Sequence, residues 1–202
     1  MKTKHFFYIA VTFFLSTSFV SAQIKTTNYK VDINKSHVKW IGSKPGGQHH
    51  GTVQISEGNI GLENGILKNG TFSVDLKTIK DLDLEDETWN NKLVDHLKSE
   101  DFFHVEKYPE ATFKLTKASK TANSNFTLTG DLTIKGITIP ITFNATINHE
   151  NGVIKAVSDE IVLDRVKWNI KTMSKSVFSD LKDKYIDDEI RIVVELEAER
   201  KK

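Results

Sequence analysis

No cysteine occurs anywhere in the 202 residues. Disulfides, thiolate metal sites and a thiol nucleophile are therefore excluded, and a lipid anchor on an N-terminal cysteine is not expected. Stability must come from packing and sheet pairing. Arginine is nearly as scarce: Arg165, Arg191 and Arg200 are the only ones among 28 basic residues, which 27 acidic residues balance. Readers of nucleic acid cluster arginine on a basic face, so no nucleic-acid partner is expected here. Long apolar runs are missing beyond residue 22, where nothing stays apolar for the roughly 18 residues that a membrane span needs. No membrane span is expected in the mature chain.

The one apolar run lies at the start. Lys2 and Lys4 precede Phe6 to Leu15, broken only by Thr12, and the small residues Ser21 and Ala22 follow Val20. That pattern predicts a secretory signal peptide over residues 1–22, cut before Gln23, and an exported, periplasmic domain over residues 23–202.

Catalytic signatures are absent too. No GxSxG elbow, Walker loop or dinucleotide fingerprint occurs, and no enzyme or cofactor is expected. His49 and His50 sit in a glycine-rich segment, Lys44 to Gly51, that reads as a mobile loop, and no HExxH or similar spacing accompanies them. No metal site is expected, and whether His49 and His50 serve any site stays open. The acidic run Asp81, Asp83, Glu85, Asp86 and Glu87 lacks the glycine of an EF-hand turn and reads as a solvated start to a helix.

What the chain has instead is alternation. Phe126, Leu128, Leu132 and Ile134 share one face of an apparent strand, and after Gly136 the rhythm resumes out of phase with Ile137, Ile139, Ile141, Phe143, Ala145 and Ile147. Two long antiparallel strands joined by a tight turn follow. Similar alternation marks Tyr29 to Ile33, Val38 and Trp40, Val53 and Ile55, Phe72 to Leu76, Ala111 to Leu115, Val153 to Leu163 and Ile190 to Leu196. Gly58, Gly61, Gly65 and Gly70 read as breaks between short strands. Helical spacing occurs only at Leu93, Val94 and Leu97, and in a second patch around Val177, Phe178 and Leu181. Eight to ten strands with one or two short helices predict an all-β fold, an antiparallel sheet closed into a barrel. A barrel of about eight strands either fills with side chains or holds one small ligand.

The stretch from His96 to Phe113, HLKSEDFFHVEKYPEATF, resembles the signature of the YceI-like family. Asp32 to Trp40, Gly130 to Ile141 and Asp164 to Ile170 are similar, in order, to that family's opening strands, central hairpin and late arginine-containing strand. Lys135 stands where the family often has histidine, and Val166 and Asn169 depart from the late motif. The resemblance implies a lipocalin-like barrel that holds a long-chain lipid or polyisoprenoid, with homodimerisation admitted but marked by no interface signature. It makes the inward faces at Phe72, Phe113, Phe126, Leu128, Ile139, Ile141 and Phe143, together with Trp40 and Trp168, the expected ligand-binding wall. Arg165 becomes the candidate for a two-point contact with an anionic head group. The competing readings are a stress-response barrel, packed solid, whose loops bind a protein partner, and an exported enzyme acting on lipids.

Overall fold

The structure is a computed structural model that describes residues 23–201; the expected signal peptide lies outside the described residues. The strands are β1 (Thr26–Val31), β2 (His37–Lys44), β3 (Gly47–Glu63), β4 (Ile66–Asp81), β5 (Glu110–Ala122), β6 (Asn125–Ile134), β7 (Ile137–Glu150), β8 (Val153–Ser158), β9 (Ile161–Asp164) and β10 (Glu189–Arg200). One α-helix, α1 (Glu87–Lys98), stands between β4 and β5, and a 3-10 turn (Arg165–Trp168) follows β9.

These ten strands make eight staves of a closed antiparallel barrel. β1 and β2 are two halves of one stave, both pairing β3 and β10, and β8 and β9 are two halves of another, both pairing β10. Both interrupted staves flank β10, whose ladder would lose bonds at each gap. Ser36 Oγ accepts the Glu197 N–H at 3.0 Å and Ser158 Oγ accepts the Val194 N–H at 2.9 Å, so two buried serines replace the missing carbonyls.

Turn chemistry sets the staves' ends. Asn64–Gly65, Lys135–Gly136 and Asn151–Gly152 each hold two successive residues at positive φ, the backbone of a type I′ hairpin whose twist matches its strands. The expected hairpin at Gly136 is therefore present, with Leu132 opposite Ile139 and Leu128 opposite Phe143. Its inward residues include buried Leu128, Leu132, Ile134 and Ala145, and outward threonines bond in cross-strand pairs such as Thr133 with Thr138 at 2.7 Å.

Three local expectations need correction. Lys44 to Gly51 is no loop: Pro45, and Gly46 at φ +82°, make a two-residue turn, and His49 and His50 pair Gly42 and Ile41 within the ladder. Gly58, Gly61 and Gly70 do not break strands either, because β3 and β4 run through them for 17 and 16 residues. A Cβ on Gly58 would come within 2.8 Å of Phe72, so that glycine serves close packing rather than punctuation. The patch around Val177 and Phe178 forms successive turns and no helix, since Met173 and Lys182 take left-handed backbone angles that a helix cannot continue through.

Helix α1 forms where expected. Asp86 Oδ1 accepts the Trp89 N–H at 3.1 Å, Glu87 sits in the first turn, and His96 and Lys98 sit in the last, each complementing the helix dipole. Leu93 and Leu97 turn towards the core, which places α1 across one end of the barrel. The Pro45–Gly46 and Lys135–Gly136 turns and residues 165–188 share that end by topology, and the asparagine-glycine hairpins mark the other.

Candidate functional site

Inside the barrel runs a cavity of about 930 Å³. Its wall is the inward face of the staves: Val53, Ile55, Ile60 and Leu62 of β3, Val74 and Leu76 of β4, and Ile192 and Val194 of β10. Polar side chains gather towards the ends. Ser43, His49, His96, Arg165 and Tyr185 border it at the helix end, and Lys120, Asn123 and His149 at the hairpin end.

Nine of the ten expected ligand-binding residues border this cavity. Trp40 lies on β2, Phe72 on β4, Phe113 on β5, Phe126 and Leu128 on β6, Ile141 and Phe143 on β7, and Arg165 and Trp168 in the 3-10 turn. Ile139 does not border it and packs into the core opposite Leu132. An aromatic row crosses the barrel: Phe72 stacks on Phe113 at 6.4 Å between ring centroids, and Phe113 meets Phe143 at 5.6 Å. The larger apolar cluster and a smaller one around Leu115, Leu128 and Ala145 share Phe113, Phe143, Leu67 and Ile147, so the row lies where the two meet.

Arg165 sits where the resemblance puts it and does structural work there. It lies in a 3-10 turn rather than a strand, with the Asp164 carboxylate capping that turn through the Val166 N–H at 3.1 Å. Its guanidinium is buried and donates to three backbone carbonyls: Nε to Asp187 at 3.0 Å, Nη1 to Ile170 at 2.8 Å and Nη2 to Ile186 at 2.9 Å. Nη2 also lies 3.5 Å from Asp188, and the cation rests over the Phe102 ring at 5.4 Å. Burial lowers the guanidinium pKa, and the charges of Asp188, Asp164 and Asp187 oppose that shift. A two-point head-group contact needs parallel N–H groups free to meet it. Three of the five guanidinium N–H groups here tie residues 170–188 to the barrel, which gives Arg165 a structural role whatever else it contacts.

Trp168 is the second strut at this end, fully buried with Nε1 donating to the Leu132 carbonyl at 3.3 Å. Trp40 differs. Its Nε1 is buried and has no partner among the described residues.

Beside this end the β3–β4 register places Gly51 opposite Asp81 and brings a further group together. Asp83 Oδ1 accepts the His50 N–H at 2.7 Å, and its Oδ2 meets His49 Nδ1 at 2.9 Å. Burial pushes the Asp83 carboxyl up, but the His50 N–H and the His49 ring outweigh it and leave its pKa below the usual carboxylate value. Asp81 is buried, and only Asp86 and Glu87 serve the helix start that the whole acidic run suggested. Nothing in the sequence pairs His49 with Asp83 across 34 positions; the strand register does.

Much of the wall was visible in advance as alternation at Val53 and Ile55 or Ile192 and Val194, though those residues carried no site assignment. Phe102 and Phe103 also line the cavity, and as adjacent residues outside any strand they gave no periodic signal.

A family model described as "YceI-like domain" matches residues 29–198. A UPF0312 protein of Pseudomonas putida is 37% identical over 142 residues, covering 67% of this chain and 70% of the relative. Among solved structures, BcnA of Burkholderia cenocepacia superposes with a TM-score of 0.66 at 21% identity, covering 83% of this chain and 98% of that one. A polyisoprenoid binding domain from Saccharophagus degradans gives 0.63 at 11% identity, covering 86% and 98%. At such identities these two likenesses speak for the fold alone.

Proposed function

The chain belongs to the YceI-like family, and from that premise we propose that it is an exported binding protein that carries or stores a long-chain amphiphile inside its barrel. Polyisoprenoids, isoprenoid quinones and fatty-acid-like lipids share the required chemistry, an extended apolar tail with one polar end. The observation that carries the reading is the cavity: about 930 Å³ of space walled by aliphatic and aromatic side chains along the staves. That volume falls within the range of small-molecule sites, and apolar burial contributes roughly 25 cal/mol for each Å² of tail removed from water, before ordering costs. The likeness to a structure described as a polyisoprenoid binding domain agrees in ligand class.

In this reading the tail lies against Phe72, Phe113, Leu128, Ile141 and Phe143, and the polar end reaches Trp40, whose buried indole N–H has no partner among the described residues. The role is sequestration, not turnover. A solidly packed barrel that binds a protein partner through its loops requires side chains to fill the interior, and a cavity of this size speaks against it.

Native mass spectrometry of the protein purified from its own host without detergent tests the proposal. A stoichiometric isoprenoid, quinone or acyl-chain adduct is expected. A clean apo mass that persists after incubation with such lipids overturns it.

A further inference from the structure

Asp81 is 6% exposed, yet its Oδ2 has no hydrogen-bond partner among the described residues. Its other oxygen is heavily used: Oδ1 accepts the N–H groups of Asp83 at 3.3 Å and Leu84 at 2.9 Å, and Asn90 Nδ2 at 3.2 Å. A buried carboxylate oxygen left bare is costly, and each unmet group of this kind calls for a partner.

The surroundings say which kind. One ligand atom from each of His49, Asp81 and Asp83 lies within 4.8 Å of the other two. Among the described residues no lysine or arginine forms an ion pair with Asp81 or Asp83. The side chains that pair with the Asp83 carboxylate there are the imidazoles of His49, at 2.9 Å, and His50, at 3.5 Å. Two carboxylates at this separation repel unless a cation or proton stands between them. The cluster is also held in place from behind: the Leu82 N–H bonds the His50 carbonyl at 2.9 Å, folding the chain after β4 back onto β3. A site for a cation needs such preset ligands.

We propose that His49, Asp81 and Asp83 form a binding site for a divalent transition-metal cation of the zinc class. One imidazole nitrogen and two carboxylates are donors that such an ion takes at four-coordinate sites, with one position left for water or another ligand. Calcium and magnesium are disfavoured because they demand six or more oxygen donors and tolerate nitrogen poorly. On binding, the ion replaces the 2.9 Å hydrogen bond between His49 Nδ1 and Asp83 Oδ2. His49 borders the cavity, which puts the ion at the helix end of the barrel.

Isothermal titration of the untagged, chelator-treated chain with zinc chloride tests this. One ion per chain is expected, with calcium and magnesium failing to compete, and with affinity falling at least tenfold in His49→Ala and in Asp83→Asn. His50→Ala, whose ring is half exposed and outside the trio, leaves affinity within twofold. Asp81→Asn removes a turn-capping acceptor and is not a clean variant, so cobalt(II) titration of the unmodified chain supplies the second readout, visible absorption of a four-coordinate nitrogen and oxygen site. Absence of one-to-one zinc binding, absence of that absorption, or full affinity in the His49→Ala, Asp83→Asn double variant overturns the assignment.

Discussion

The ring of Phe113 occupies the space that a side chain on Gly130 would need: a Cβ there would come within 2.2 Å of Phe113 Cζ and 2.6 Å of the Lys114 carbonyl oxygen. Gly130 is the gap in the inward row of β6, between Leu128 and Leu132, and the gap lets Phe113 lean across to Phe143. Gly130→Val is therefore expected to force ring and strand apart, costing about 1–3 kcal/mol as overpacked interiors do. Thermal unfolding followed by circular dichroism checks it, and an unchanged midpoint would show that the ring can swing aside freely.

Arg165 links three carbonyls of residues that no strand holds, so its loss releases a segment. Arg165→Met strands Ile170, Ile186 and Asp187 without their donors and leaves Asp188 facing no cation. A destabilisation of about 3–5 kcal/mol is expected, as for one partner removed from a buried pair. Urea unfolding reads the loss, and limited proteolysis should cut between residues 171 and 188. A variant of full stability that has lost its lipid would favour the head-group role instead.

Asp188 makes stability depend on pH. Burial opposes its ionisation, but hydrogen bonds from Ser174 and Ser176 and the charge of Arg165 carry its folded-state pKa below 3.8. A group depressed on folding contributes fully above its unfolded value and loses that contribution as pH falls through the folded one. Comparing the urea midpoints of the unmodified chain and Asp188→Asn should show a gap at pH 7 that closes below about pH 3.8. A gap independent of pH would place the effect outside ionisation.

Filling the cavity separates binding from folding. Leu128 faces inward opposite Phe143, belongs to the smaller apolar cluster and also borders the cavity, so Leu128→Trp pushes a larger ring from that cluster into the cavity. Bound lipid, read as the adduct fraction in native mass spectra, should fall several-fold while stability falls by no more than about 1–3 kcal/mol, the cost of an overpacked interior. Undiminished loading would mean that the tail lies elsewhere.

Phe126 to Ile147 was legible because a half-buried strand repeats every two residues, and a turn between two such runs inverts the phase. Helix α1 was legible for the parallel reason, its spacing at Leu93, Val94 and Leu97 together with the acidic residues before it. The late segment misled because four residues, Arg165 to Trp168, are too few to show any period, and the apolar residues after them turn on left-handed angles that composition does not reveal. The glycines of β3 and β4 misled in the opposite sense. Glycine marks turns and close approaches alike, and which applies depends on a neighbour from another stave, as Phe72 is to Gly58.

The amino-acid sequence by itself determined the all-β class, the inward faces of most strands, the hairpin at Gly136 and the family, because each is a local pattern or a contiguous motif. Tertiary structure alone decided that the interior holds a cavity, that Arg165 feeds carbonyls, that Tyr29 bonds His149 at 2.7 Å across 120 positions and that His49 meets Asp81 and Asp83. The physical reason is that volume is what remains after all eight staves have placed their side chains, and a contact between distant residues exists only once register has been set between strands.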